Sequence, residues 1–173
     1  MDAVCGIIGQ CDERVVSAMF EALAHRGKGR YMVKGEGFAV ASSGPVASDS
    51  PCLVDGEPRD ANGNAMSPTL LQESCAALGQ PEALDLKGSF AAAIKVDGAW
   101  WLMRDRLGRK PLYYAQIQGN LIFASELKGL LASGLIARRL DLGAVDRYLT
   151  WRSVPCPDTL IAGVQQVLSL IHI

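Results

Sequence analysis

The sequence predicts an α+β protein in which helices cover antiparallel sheets. Two hairpin patterns are the first observation. Residues 90–96 and 99–104 flank Asp97-Gly98, a pair that accepts the positive φ of a tight turn. Residues 112–116 and 121–124 flank Gln118-Gly119-Asn120 in the same way. The second observation is helical spacing on either side of these hairpins. Val15, Val16, Met19, Phe20 and Leu23 recur with that period over 13–24, and Leu142, Val145 and Leu149 share one face over 141–149. The third is size: 173 residues, 49% apolar and 20% charged, suffice for one domain with its own core.

Taken in order, residues 4–9 are apolar and glycine-punctuated, which suits a short buried strand. The helix over 13–24 is expected to end near His25-Arg26-Gly27. Short apolar runs at 37–42 and 51–55 read as strands, and the Gly, Pro, Asp and Asn of 56–68 read as loop. Residues 70–78 read as a second helix, stopped by Gly79-Gln80-Pro81, and 125–132 as a third. The sequence holds no internal repeat and no low-complexity segment.

Composition narrows the partners. A formal net charge of −1 without a basic run argues against nucleic acid or an anionic membrane surface. No apolar run reaches the length of a membrane span, and residues 1–4 carry no basic, then apolar, secretory pattern. Five scattered cysteines, none in a C-x-x-C pair, predict reduced thiols in a cytoplasmic protein and no metal site.

The motifs are more specific. Cys5-Gly6-Ile7-Ile8-Gly9 opens the chain, Val54-Asp55-Gly56-Glu57 follows, and then come residues 104–114 (RDRLGRKPLYY) and 123–128 (FASELK). Together these resemble the amino-terminal class II glutamine amidotransferase domain of glutamine-hydrolysing asparagine synthetases. The resemblance is thin from 28 to 80 and dense after 86. It implies an N-terminal-nucleophile hydrolase fold, a four-layer αββα sandwich of two antiparallel sheets. It also implies residues 1–150 as the amidotransferase-like domain and 151–168 as the start of a linker to a synthetase domain absent from this chain. Residues 169–173 read as a non-native or truncated tail.

By that resemblance Cys5 is the nucleophile, Gly56 supplies an oxyanion-hole amide, and Asp55 and Glu57 lie at the substrate. An amino-terminal cysteine carries its own base, because an α-amino group titrates near pKa 7.7–8.0. Four residues precede Cys5, however, so its nitrogen is a peptide amide unless they are removed. Asp55 stands where the family has asparagine, and an ionised carboxylate accepts hydrogen bonds where an oxyanion needs donors. Residues 38–50 contain no arginine for a substrate carboxylate, and Ser67-Pro68-Thr69-Leu70 replaces an acidic element that holds the substrate amine.

Each residue also has a plainer reading. Cys5 can be a core thiol opening a strand, Asp55-Gly56 a turn, and His25-Arg26 a cation pair facing a helix dipole. Two functions therefore follow. One is a glutaminase domain supplying ammonia from glutamine for amidation of aspartate. The other is a degenerate amidotransferase domain serving a structural role for an ammonia-using synthetase. ATP and Mg²⁺ belong to the missing synthetase domain, in cis or in trans, and no cofactor is expected in this chain. Seven apolar residues within 160–171 are expected to form an exposed segment, so that ending the chain near Arg152 would improve solubility.

Overall fold

The computed structural model describes residues 2–46, 51–79, 84–168 and 171–172. Gln80 and Pro81, expected to help stop the second helix, lie outside these residues. Among the described residues ten strands form two antiparallel sheets. The first sheet contains β1 (Val4–Ile8), β2 (Tyr31–Gly35), β3 (Phe38–Ser42), β7 (Tyr113–Ile117), β8 (Asn120–Ala124) and β9 (Gln165–Gln166), ordered β2-β3-β1-β8-β7-β9. The second contains β4 (Cys52–Arg59), β5 (Lys87–Val96), β6 (Ala99–Arg104) and β10 (Ile171–His172), ordered β10-β6-β5-β4.

Helices α1 (Glu13–Ala22) and α3 (Leu127–Ala132) cover the outer face of the first sheet, and α2 (Pro68–Leu78) covers the second. The result is the expected four-layer αββα sandwich. Both hairpins turn as expected: Asp97 and Gly98 have φ 49° and 83°, and Gln118 and Gly119 have 51° and 78°. Positive φ at both central positions is the geometry that follows the right-handed strand twist.

Alternation along the strands sorts side chains between layers. Val4, Leu53, Ala91, Trp100, Leu102 and Phe123 fill the space between the sheets. Trp100 meets Phe38 edge-on, with ring centroids 5.3 Å apart. Burying an aromatic or large aliphatic side chain of this kind stabilises by about 1.5–3 kcal/mol. The helix ends have local causes. Asp12 caps α1 by accepting from Arg14 N. Ser67 caps α2 by accepting from Leu70 N, Pro68 sits in its first turn, and Gly79 ends it at φ 64°.

Three features differ from the expected picture. Residues 56–59 are strand rather than loop: β4 runs on to Arg59 because β5 begins at Lys87 and pairs with it throughout. Long-range pairing overrides the turn composition there, aided by Gly56 and Gly88 at φ 102° and 94°. The second is strand β2, absent from the local pattern: Tyr31–Gly35 pairs with β3 without any clear period of its own.

The third correction concerns the apolar carboxy-terminal segment. Val164 and Val167 are 3% and 0% exposed and belong to the core. Val167 N donates to Leu112 O at 2.8 Å, and Arg104 Nη1 donates to Val167 O at 3.0 Å. Residues 151–168 therefore carry β9 and core side chains, and a chain ending near Arg152 would lose both. Exposed apolar surface lies instead on α4 (Leu142–Trp151), where Leu142 and Leu149 are 79% and 75% exposed. Among the described residues no helix is long and apolar enough to cross a membrane.

Candidate functional site

The chain enters β1 through residues 2–4, and their hydrogen bonds differ from those of a regular strand. Each amide of this segment donates to a side chain: Asp2 N to Asp55 Oδ1 at 3.3 Å, Ala3 N to Ser43 Oγ at 2.8 Å, and Val4 N to Ser125 Oγ at 3.0 Å. Asp2 O accepts from Arg26 Nε at 3.0 Å. From Cys5 onward the strand is paired on both sides, with Ala41 and with Ala124. The nitrogen of Cys5 is thus an ordinary strand amide.

The Cys5 side chain is fully buried. It belongs to the cluster that packs β1 under the helices, with Met19, Phe20, Leu23 and Leu130. Burial pushes its thiol up to about 12, so near neutral pH the group is a thiol and not a nucleophilic thiolate. Asp55 shares a strand face with Leu53, which points between the sheets. Cys5 and Asp55 therefore lie on opposite sides of the first sheet, and the two are not brought together.

Asp55 is the centre of a buried ion cluster. Its side chain is 0% exposed, with Oδ2 2.5 Å from Arg26 Nη2 and Oδ1 2.9 Å from Lys110 Nζ. Arg26, itself 7% exposed, also reaches Glu126 Oε1 at 2.9 Å. Lys110 is aimed by its own turn. The Asp105 carboxylate accepts from Leu107 N, Arg109 N and Lys110 N at 3.1, 3.1 and 3.2 Å. An aspartate folding the following main chain onto its carboxylate is what makes this residue type favour turns.

Gly56 and Glu57 line an open pocket of about 360 Å³ beside this cluster, together with Asp2, Arg59, Ser89 and Lys110. The Glu57 side chain is 75% exposed and pairs with Arg59 at 3.2 Å. Gly56 and Glu57 thus line one pocket with Asp55 buried behind it, and Asp2 is the amino-terminal residue of its lining. Asp2, Arg26 and Lys110 are site residues that the motif reading missed. Arg26 was weighed against a helix-end cation pair, and the structure turns it inward from the 3₁₀ turn Ala24–Arg26. Lys110 lay inside a quoted motif with no partner visible from spacing.

At the rim, His25 Nε2 lies 3.0 Å from Glu126 Oε1, and Lys128 Nζ lies 3.1 Å from His25 Nδ1. An ammonium only donates, so Nδ1 accepts and Nε2–H donates to Glu126. Burial pushes the Glu126 carboxyl up, but hydrogen bonds from Arg26 and His25, with the charge of Lys128, outweigh it and hold it below its ordinary 4.5. A depressed carboxyl pKa adds stability that is complete above the unfolded value and lost as pH falls through the folded one. Acid unfolding should therefore show a loss of stability below about pH 4.5 that Glu126→Gln removes. Parallel acid titrations of the two proteins by circular dichroism check this.

Comparison with known proteins bears on the fold and the family. The chain is 39% identical over 84 residues to asparagine synthetase [glutamine-hydrolyzing] 1 of Bacillus subtilis, covering 47% of this chain and 13% of that protein. It is 38% identical over 77 residues to putative asparagine synthetase [glutamine-hydrolyzing] 2 of Methanocaldococcus jannaschii, covering 42% of this chain and 15% of that protein. The chain thus spans a small part of the length of either relative. Among solved structures, glutamine phosphoribosylpyrophosphate amidotransferase from B. subtilis, complexed with ADP and GMP, superposes with a TM-score of 0.52 at 14% identity. That match covers 76% of this chain and 43% of the other, and at such identity it bears on the fold alone. A model of the glutamine amidotransferase domain matches residues 64–171, more than half of the chain, and the protein belongs to that family.

Proposed function

We propose that this chain is a glutamine amidotransferase domain of asparagine synthetase type that does not hydrolyse glutamine while residues 1–4 are attached. The observation that carries this reading is the Asp55 carboxylate, buried and held by Arg26 and Lys110. Attack on the glutamine amide places negative charge on an oxygen that must meet donors. A carboxylate there offers none, and both neighbouring cations are already engaged by it. The Cys5 thiol adds to this reading, since it lies under the helix layer with no free amine beside it.

Ammonia release from glutamine tests this, together with mass spectrometry after treatment with an electrophilic glutamine analogue. We expect no release above the uncatalysed rate and no modification of Cys5. Stoichiometric modification of Cys5 that free glutamine prevents would overturn the reading.

A second reading, hydrolysis after loss of residues 1–4, is favoured by the side-chain partners of that segment. Removing it would free Asp55, Arg26, Ser43 and Ser125 at the end of β1 and give Cys5 an α-amine. In either reading the partner is a synthetase domain, in cis or in trans, that amidates aspartate with ATP and Mg²⁺. Among the described residues no group of three or more His, Cys, Asp or Glu side chains is placed to hold a metal ion. Cytoplasmic residence is part of the proposal and rests on five free cysteines.

A further inference from the structure

Strand β2 closes one end of the first sheet, and its outer edge pairs with no other strand among the described residues. The ladder fixes which main-chain groups that edge presents. Gly37 O accepts from Gly9 N and Ser43 N donates to Ala3 O, so the odd positions along β3 and its flanks turn toward β1. Phe38, Val40 and Ser42 therefore bond to β2, through their partners Gly35, Val33 and Tyr31. The N–H and C=O groups of Met32 and Lys34 are left pointing outward. An edge of this kind pairs with another strand unless something guards it. Here the strand has no proline and no bulge, and it matches β3 residue for residue. Its cations are drawn over the helix face and do not guard the edge. Lys34 Nζ lies 2.8 Å from Glu13 Oε1, and Arg30 reaches Ser17 Oγ and Glu21.

We propose that the β2 edge joins two copies of this chain, strand against antiparallel strand about Val33, so that their six-stranded sheets become one. The edge is complementary to itself in that register. Met32 and the partner's Lys34 exchange main-chain bonds, and Tyr31, 48% exposed, lies across from the partner's Gly35, which leaves its ring room. Arg30 falls opposite the partner's Glu36, and the symmetry repeats that pair at the other end. Met32 packs under the helices and Val33 between the sheets, so Arg30, Lys34 and Glu36 share the helix face. Glu36 is exposed and has no ion pair among the described residues. Sliding the register by two residues opposes Arg30 to the partner's Lys34 in one direction, and the two Lys34 to each other in the other. Both slides lose the Arg30–Glu36 pairs. The layers fit as well. Helix α1 lies over β1 and β3, so the two α1 helices would stand about four strand spacings, roughly 20 Å, apart. A helix is about 10–12 Å across, so the two do not collide, and the cleft between them receives the four side chains of the helix face. One strand pairing buries less than a standard interface, so a weak dimer is expected, dissociating in the range of about 10 µM to 1 mM. Neither Cys5 nor Asp55 takes part, so the proposal is independent of whether glutamine is hydrolysed.

Sedimentation velocity of the full chain, from about 1 µM to about 1 mM, tests it. Arg30→Glu sets carboxylates opposite each other at both ends of the interface, and Glu36→Lys sets cations there. Each variant alone should dissociate roughly tenfold more readily. An equimolar mixture of the two should recover the original association, because every end then pairs opposite charges. Lys34→Pro removes an outward N–H that bonds to nothing within its own sheet, so it should abolish association while circular dichroism shows the fold retained. Amide exchange followed by nuclear magnetic resonance gives a second readout. The N–H groups of Met32 and Lys34 should exchange more slowly as concentration rises, and those of Tyr31, Val33 and Gly35 should not change. A monomer at the highest concentration overturns the proposal, as does association that the charge variants leave unchanged or that their mixture fails to recover. Slow exchange at Met32 and Lys34 in a monomer would show that another segment of the chain already covers the edge, and it overturns the proposal too.

Discussion

Arg26→Ala should destabilise the protein by about 3 kcal/mol, because breaking one side of a buried ion pair leaves the other charge stranded in a low-dielectric interior. Asp55 is 0% exposed and would keep only Lys110 and the amide of Asp2. Glu126 would lose its bond from Nη1, and the carbonyl of Asp2 its bond from Nε. Lys110→Ala should cost less, since that ammonium is 17% exposed and water can replace it at the pocket edge. Urea unfolding of both variants supplies the comparison. The double change Arg26→Met with Asp55→Leu should be milder than the sum of its parts, because it leaves no orphaned charge at that contact. A loss below 1 kcal/mol for Arg26→Ala would show that water reaches Asp55 and that the cluster is not the closed unit described.

Gly56→Ala should cost roughly 3 kcal/mol or more, from backbone strain and a collision acting together. Gly56 has φ 102°, a conformation that disfavours any side chain, and an added Cβ would run into the main-chain oxygen of Ser89 on the paired strand. A main-chain oxygen inside a ladder cannot move aside without breaking the pairing of β4 with β5. For a domain of this size, such a loss lowers the melting temperature by about 6–12 °C. Gly98→Ala is the control. Gly98 has φ 83°, but its Cβ would meet nothing within 4 Å, so only the conformational part, about 1 kcal/mol, should appear. Equal melting temperatures for the two variants would show that the strands yield at Gly56 and that the pocket wall is softer than its geometry implies.

Much of the fold was legible from local chemistry. Asp97-Gly98 and Gln118-Gly119 mark their hairpins because few other residues tolerate two successive positive φ values. The helices over 13–24 and 141–149 were legible from apolar spacing, and the structure adds the caps Asp12, Ser67 and Asp141, whose side chains satisfy amides that a first turn leaves open. What local chemistry misread was settled by partners far along the chain. Residues 56–59 look like turn and become strand because Lys87–Val96 lies beside them. Val164 and Val167 look like a bare apolar tail and become core because β7 and Arg104 receive them.

The candidate site divides the same way. By itself the sequence determined the family motifs, the absence of a donor side chain at Asp55, and the four residues that separate Cys5 from a free amine. Those are properties of residue type and order. Only the tertiary structure decided which side of the first sheet each group occupies. Strand alternation turns Cys5 toward the helices, while Arg26, Lys110 and the amide of Asp2 arrive from three distant segments to meet Asp55. No spacing rule encodes that meeting. It exists because a buried carboxylate must find cations, and the sandwich closes only where those cations can reach it.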